Sequence, residues 1–342
     1  MTEAADSGRS QFGGAALAGA RTFTASDLLD EAPQMGLVRE ATYVWGTSRN
    51  PGGDLFIHAR RMAGSQGVAG AGASEPGALQ HSMSDRFILQ STTGGGAHPS
   101  LRREGRFTAT TDEVTRNLES NRAAFRIPAQ GDRGQMELVV GSEAISYQEG
   151  TVLSLSGLQV GPGLHWYLPY GPAALYYTTA TWSVAGSVLG EEVQGFVFVE
   201  EAFMPPGGRL YVQHDPLPFV GYRLWYSWAT AWDDGTTEFG HFLANDGAFS
   251  VGLIADGSGR VRAARDVTAK VERDRDGYWY ERIALDVDGE PWEIVADPRG
   301  RMADLGPIPN PQQEALVRRM GETRTPVTWM AWGETVPAND PD

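Results

Sequence analysis

Two neighbouring glutamates, Glu200 and Glu201, end an apolar run in "VQGFVFVEEAF" (from Val193). Side chains alternate along a strand, so Glu200 shares a face with Phe198, and Glu201 shares the opposite face with Val199. Both faces are largely apolar, and burial disfavours the charged form of a carboxyl group and raises its pKa. A carboxylic acid of this kind can donate a proton, so we predict that Glu200 or Glu201 is a general acid. The alternative is that the two glutamates merely end a strand.

An aromatic stretch, "RLWYSWATAWDDGTTEFGHFL" (from Arg223), follows these glutamates. A two-residue turn at Asp234-Gly235 would pair Trp228 with His241. One face would then carry the side chains of Tyr226, Trp228, Trp232, Phe239 and His241. We predict that the rings line a binding pocket and that His241 is a proton relay or hydrogen-bond donor. The alternatives are that the rings are strand core, that His241 is a core histidine and that the aspartates only form the turn.

Further aromatic residues lie close to these two segments in sequence. In "LHWYLP" we predict that His165, Trp166 and Tyr167 contact the ligand, and Phe198 adds another ring beside Glu200. The alternative for the first three residues is a proline-stiffened linker with no chemistry. Taken together, these residues predict a pocket suited to a large apolar ligand.

The sequence contains no recognisable motif for binding a metal ion or a nucleotide. The histidines are scattered without an HxH or HExxH pattern: His58, His81, His98, His165, His214 and His241. No glycine-rich phosphate loop precedes a helix, no GxSxG sequence is present, and there is no cysteine. We therefore expect neither a metal nor another cofactor.

Composition bounds the partners and the number of domains. The 342 residues exceed what one hydrophobic core usually supports, so two domains are expected. A formal net charge of −15 argues against nucleic acid as a partner. Residues 1–20 lack a basic start and a long apolar run, which predicts a flexible tail, no membrane span and a cytoplasmic protein. A homodimer is left open.

Short β-branched and aromatic runs separated by Gly, Asp and Pro turns dominate the chain, which predicts an all-β fold. Successive hairpins favour barrels, so we predict two tandem antiparallel β-barrel or sandwich domains, residues 21–160 and 161–342. The Gly- and Pro-rich segment Ser156 to Pro172 is the predicted join, and Ala63 to Ser82 a mobile loop. Short helices are predicted from Thr24 and from Asn310.

Two motifs together resemble the carotenoid 1,2-hydratase/AttH-like family, a lipocalin-like group related to Diels–Alderases. The family's Gly-x-x-aromatic-x-acid-x-x-aromatic segment and its "W-x-W…LDDG" hairpin are matched by Gly195, Phe198, Glu200, Phe203, Trp225 or Tyr226, Trp228 and Asp233-Asp234-Gly235. Phe198 stands where the family commonly has Trp, Glu200 where it commonly has Asp, and Tyr167 in place of the second His of an "hWh" segment. The resemblance covers residues 160–245.

Membership of this family would imply two lipocalin-like domains with a hydrophobic pocket at their junction. It would also imply cofactor-independent hydration, isomerisation or cyclisation of a terpenoid, polyene or polyketide. Our leading hypothesis is accordingly a lyase or isomerase of the hydratase or cyclase type. Two alternatives stay open: a non-catalytic carrier of hydrophobic metabolites, and a glycosidase with paired carboxylates.

Overall fold

The computed structural model describes residues 17–63, 86–93, 102–108, 114–130, 134–245, 249–302 and 310–340. The predicted loop of residues 63–82 lies outside this range except for Ala63, and so does the predicted tail except for residues 17–20, which belong to the first strand. Among the described residues, no helix combines the length and the apolar content needed to cross a membrane.

The first sheet is antiparallel and takes its strands from the first two-thirds of the chain. They are β1 (Leu17–Arg21), β2 (Val38–Arg49), β3 (Leu55–Ala63), β4 (Arg86–Ser91), β5 (Arg102–Thr108), β6 (Thr115–Glu119), β7 (Arg122–Ile127), β8 (Met136–Val140), β9 (Ala144–Glu149), β10 (Leu153–Gln159), β11 (Gly163–Leu168), β12 (Leu175–Val188) and β13 (Glu191–Met204). Their order is β5-β4-β3-β2-β13-β12-β10-β9-β8-β7-β6, and β11 pairs with both β1 and β12.

The second sheet is also antiparallel and is built from the rest of the chain. Its strands are β14 (Tyr222–Trp232), β15 (Thr237–Asn245), β16 (Val251–Asp256), β17 (Val261–Ala264), β18 (Val267–Arg273), β19 (Tyr280–Val287), β20 (Glu290–Met302), β21 (Gln312–Arg319) and β22 (Pro326–Thr335). Their order is β17-β16-β15-β14-β22-β21-β20-β19-β18. The described helical turns are α1 (Leu217–Val220) and three 3-10 turns, Ala25–Leu28, Gly171–Ala173 and Pro337–Asn339.

Each sheet curls around an apolar interior of its own. In the first barrel, Phe87 of β4 and Phe125 of β7 share one buried cluster although their strands stand far apart in the sheet order. In the second, Tyr226 of β14 and Ile283 of β19 share another. The predicted all-β fold of two tandem barrel-like units is confirmed.

A third buried cluster lies between the barrels, and we call it the central layer. Alternation along the strands creates it: on β14, Trp225 points into the layer while Tyr226 and Trp228 point into the second barrel. On β13, Phe198 points into the layer and Val199 into the first barrel. The strands that face the layer are therefore buried on both sides.

The predicted register of the β14–β15 hairpin is wrong by one residue. His241 pairs with Ser227, and Trp228 pairs with Gly240. The turn uses three residues instead of two: Trp232 donates its N–H to the carbonyl of Thr236, and Gly235 takes a left-handed conformation with φ 81°. A three-residue loop with a left-handed third residue is the next most common hairpin connection. The shift by one residue moves His241 to the face opposite Trp228.

The β12–β13 hairpin is also displaced, but by an even number. Its turn is Leu189-Gly190, one residue before the predicted Gly190-Glu191, so Glu200 pairs with Thr179 instead of Thr181. A register shift of two residues preserves the faces. Glu200 therefore stays on the face of Phe198, as predicted.

The structure differs from three further predictions. The predicted helix from Asn310 is wrong: Gln312–Arg319 is strand β21, since pairing with its neighbours in the sheet overrides helix propensity. The helix from Thr24 is a 3-10 turn, Ala25–Leu28, and Thr24, the residue before it, donates its N–H to the side chain of Asp27. The predicted join, Ser156 to Pro172, contains β11 and the end of β10, so the predicted boundary at residues 160 and 161 lies inside the first sheet.

Candidate functional site

A pocket opens in the central layer, between the outer faces of the two barrels. It is a small cavity of about 50 Å³. Its lining comes from β2, β3, β12 and β13 of the first sheet, from β14, β21 and β22 of the second, and from the connector of residues 205–221 between the sheets. The residues are Glu40, Tyr43, Trp45, Arg61, Tyr177, Phe198, Glu200, Arg209, Leu210, Tyr211, Trp225, Ser227, Gln312, Trp332, Gly333 and Glu334.

Glu200 is the predicted acid that lines this pocket. Tyr177 Oη donates to its Oε2 at 2.6 Å, and Ser227 Oγ donates to its Oε1 at 2.6 Å, across from the second sheet. Burial raises the pKa of Glu200, and the hydrogen bonds from Ser227 and Tyr177 lower it only part of the way back. Glu200 is thus a buried carboxyl group whose hydrogen bonds come from hydroxyl groups, and it faces open space.

Glu201 lies on the opposite face of β13 and outside the pocket. Its Oε1 is 2.9 Å from Nη2 of Arg39, and that guanidinium also donates to the carbonyls of Asp27 and Leu28. Burial raises the pKa of Glu201 while Arg39 lowers it. The pair ties β13 to the 3-10 turn near the start of the chain, which is a structural task.

An ion pair forms a second polar wall of the pocket. The guanidinium of Arg61 donates to Glu40, and Tyr43 Oη donates to the same carboxylate at 2.9 Å. A β-bulge brings Glu40 here: Ala41 pairs with Ala202 but Arg39 pairs with Phe203, which leaves residue 40 as the extra residue of the strand. The positive charge of Arg61 is therefore already balanced.

Glu334 of β22 provides a third carboxyl group. Tyr222 Oη donates to its Oε1 at 2.7 Å, and the side-chain amides of Gln312 and Asn310 donate to its Oε2 at 2.8 and 3.3 Å. Burial raises its pKa to about 7, against an ordinary value of 4.5. On β14, its cross-strand neighbour Trp225 lies two residues from Ser227, which binds Glu200.

The structure brings His241 into the central layer but not to the pocket wall. It packs among Trp166, Tyr177 and Trp225, with each ring centroid 5.7 Å from its own. Among the described residues, neither ring nitrogen has a hydrogen-bond partner, and burial lowers the pKa to about 3. His241 is therefore neutral at neutral pH.

Three of the predicted pocket rings lie elsewhere. Trp228 stacks on Phe242 inside the second barrel, with ring centroids 5.6 Å apart, and Tyr226 Oη donates to Tyr280 Oη there at 2.6 Å. Trp232 closes the hairpin, where its Nε1 donates to Glu238 at 3.1 Å. The one-residue slip explains the first two, because it exchanges the faces of β14 relative to His241.

The remaining predicted contact residues surround the layer. Phe198 lines the pocket, whereas Phe239 is buried in the layer away from it. Trp166 packs on Tyr177 with ring centroids 5.4 Å apart, so it supports a pocket residue from behind. His165 Nδ1 lies 3.0 Å from Tyr176 Oη, and half-buried Tyr167 packs beside the small cluster around Tyr176.

The sequence did not reveal several lining residues. Glu40 depends on the bulge, and Arg209 and Tyr211 lie in the irregular connector, where no periodicity marks a face. The aromatic alternation of "TYVW" in β2 was a usable signal for Tyr43 and Trp45, and the correct hairpin register would have selected Trp225 and Ser227. Within the described ranges, no group of three His, Asp or Glu side chains could hold a metal ion.

Comparison with known proteins gives solved structures only. No protein-family model matches the chain, and no curated protein matches it in sequence. The structure is similar to a candidate AttH protein from Nitrosomonas europaea (TM-score 0.49, 14% identity, 92% of this chain and 96% of that one). It is also similar to kievitone hydratase from Nectria haematococca (TM-score 0.40, 8% identity, 92% of this chain and 96% of that one). A third similar structure is CghA with Sch210972 (TM-score 0.41, 12% identity, 87% of this chain and 89% of that one).

Proposed function

We propose that this protein is a lyase or isomerase of the hydratase or cyclase type. It converts a large hydrophobic molecule, of terpenoid, polyene or polyketide type, by acid–base chemistry in the pocket between the barrels. The observation that carries the proposal is Glu200, a buried carboxyl group that faces the cavity and accepts hydrogen bonds from the hydroxyl groups of Tyr177 and Ser227.

Glu200 is the general acid in this proposal. Its protonated carboxyl group gives a proton to a double bond or an oxygen of the substrate, and Tyr177 and Ser227 then stabilise the carboxylate that remains. A carbocation formed in this way is attracted by the faces of Trp45, Trp225 and Trp332, with about 0.5–2 kcal/mol for each ring. Water that adds to the cation loses a proton to the Glu200 carboxylate, which completes a hydration. Loss of a neighbouring C–H proton to the same carboxylate completes an isomerisation. In a cyclisation a second double bond attacks the cation first, and the new cation then loses a proton to Glu200.

Entry of a large substrate requires the pocket to widen. A cavity of about 50 Å³ has room for only a few water molecules. The connector supplies Arg209, Leu210 and Tyr211 to the lining and belongs to neither sheet. It is the part of the wall that can move without breaking strand pairing, so in this proposal it opens for the substrate.

The test compares two adjacent glutamates on one strand. The purified protein is incubated with a lipophilic extract of its host, and bound and converted compounds are identified by mass spectrometry. Glu200→Gln should abolish conversion while the compound still binds. Glu201→Gln is the matched control on the opposite face, and the folded fraction of this variant should still convert the compound. Normal conversion by Glu200→Gln would refute the role of Glu200, and binding without conversion by the unmodified protein would indicate a carrier.

A further inference from the structure

Arg209 is a pocket-lining cation whose charge is not balanced by a neighbour. No described residue forms a hydrogen bond or an ion pair with its side chain, although the chain has 43 acidic residues against 28 basic ones. The other arginine of the lining, Arg61, is bound to Glu40. Arg209 is half-buried, so the residue is partly shielded from water.

Hydrogen bonds within the connector hold the backbone around Arg209 in shape. Arg209 N donates to the carbonyl of Gln213 at 2.7 Å, and Gln213 N donates back at 2.9 Å. Two residues further on, Tyr211 N donates to Asp215 Oδ2 at 2.6 Å. These bonds fix the connector as a compact loop and present Arg209, Leu210 and Tyr211 together to the pocket.

Aromatic rings form another part of the pocket lining. Trp45 and Trp332 pack with ring centroids 4.6 Å apart, and Tyr177 and Trp225 with centroids 4.9 Å apart. A ligand that satisfies both features has a large apolar body and one anionic group at its edge. Arginine suits the second task because its planar guanidinium can form two parallel charge-assisted hydrogen bonds with one anionic group.

We propose that Arg209 makes the pocket selective for amphiphilic ligands, in which an apolar body carries an anionic group such as a carboxylate or an enolate. The apolar body lies on the tryptophan rings, and the anionic group pairs with the guanidinium at the connector. This inference rests on the pocket being the ligand site, as in the proposed function, and it narrows the substrate class to acidic hydrophobic molecules.

Two fluorescent probes that differ only in charge test this inference. 8-Anilinonaphthalene-1-sulfonate carries a sulfonate, and N-phenyl-1-naphthylamine has the same ring skeleton without it. Arg209→Gln should weaken binding of the sulfonate probe about tenfold or more, because a charge-assisted hydrogen bond is lost, and should leave the uncharged probe within about twofold. Arg209→Lys should retain part of the affinity for the sulfonate probe.

Arg275→Gln is the matched control, since Arg275 is an exposed arginine outside the pocket lining, and it should bind both probes as the unmodified protein does. Unchanged binding of the sulfonate probe by Arg209→Gln would overturn the inference, and so would an equal loss for both probes. Such a failure stays distinct from failure of the proposed function, which depends on the effect of Glu200→Gln on conversion.

Discussion

Inside the first barrel, Arg60 donates to both oxygens of Glu149, and Tyr147 Oη adds a third bond at 2.6 Å. In the central layer, Glu200 is just as buried, but its bonds come from the hydroxyl groups of Tyr177 and Ser227, and it borders a cavity. The carboxylate in the barrel is paired with a cation, whereas burial raises the pKa of the one in the layer, which borders open space. Burial alone therefore does not mark the site; the partner and the adjacent space do.

The largest effect on stability should come from a ring inside a barrel. Trp228→Ala removes a fully buried indole that packs on Phe242 and Trp292, so it should lower the free energy of unfolding by about 3–5 kcal/mol in urea denaturation. Trp225 lies on the opposite, pocket-facing side of the same strand, and Trp225→Ala should instead abolish binding of N-phenyl-1-naphthylamine. Loss of probe binding by folded Trp228→Ala would contradict this division of the two faces of β14.

Breaking the buried ion pair should be nearly as costly. Glu149→Gln leaves the guanidinium of Arg60 charged and unpaired inside the first barrel, which should cost about 3–5 kcal/mol. The exposed pair of Glu119 with Arg126 is the control, because Glu119→Gln should leave the urea midpoint unchanged. An equal, small effect of both changes would show that the pair in the barrel is not buried as described.

The pH dependence of stability should reveal Glu334. Its pKa is about 7 in the folded protein against an ordinary 4.5, so the folded state holds a proton that the unfolded state has lost between these values. Stability should therefore fall as the pH rises from about 4.5 to about 7, by at most about 3 kcal/mol for this group. Glu314, with a pKa also near 7 because of burial, adds to the same trend.

Glu334→Gln should reduce this loss. The melting temperatures of the variant and of the unmodified protein are measured at pH 4.5 and at pH 8, and their difference is compared between the two pH values. We expect the variant to gain relative stability at the higher pH, since no carboxylate then has to ionise beside Tyr222 and Gln312. A difference in melting temperature that does not change with pH would refute the raised pKa.

The smallest predicted effect concerns the turn that sets the face of His241. Gly235→Ala puts a side chain on a residue with φ 81°, which should cost about 1–2 kcal/mol. Gly257→Ala, in the turn between β16 and β17, is a suitable control, since φ at Gly257 is not in the left-handed region and a Cβ there would meet only the Thr237 carbonyl, at 4.0 Å. Equal costs for both variants, by thermal unfolding, would contradict the three-residue turn.

The sequence predicts faces only as well as it predicts turns. Placing the β12–β13 turn one residue late shifted the pairing by two, so the face of Glu200 was still correct. At Asp234-Gly235 the true loop has one residue more than the common Asp-Gly hairpin, and the pairing shifted by one. The same dipeptide at Asp288-Gly289 does form the two-residue turn, with Val287 paired to Glu290. Local sequence does not separate these two cases.

Other parts of the site depend on tertiary contacts that no local pattern encodes. Glu40 enters the pocket because of a bulge opposite Phe203, and Arg209 because the connector folds back over the layer. The segment from Gln312 has the composition of a helix, yet it is a strand because β20 pairs along it. The two-barrel fold was accessible from alternation and turn residues, whereas the pocket between the barrels required the packing of both sheets.

A crystal structure with bound N-phenyl-1-naphthylamine would test most directly whether the binding site lies between the barrels. We expect the probe to lie against Trp225 and Trp332, with ring atoms within about 4 Å of the Glu200 carboxyl group. We also expect the connector at Leu210 to be displaced. A probe found inside either barrel, against Trp182 in the first or Trp228 in the second, would contradict the account.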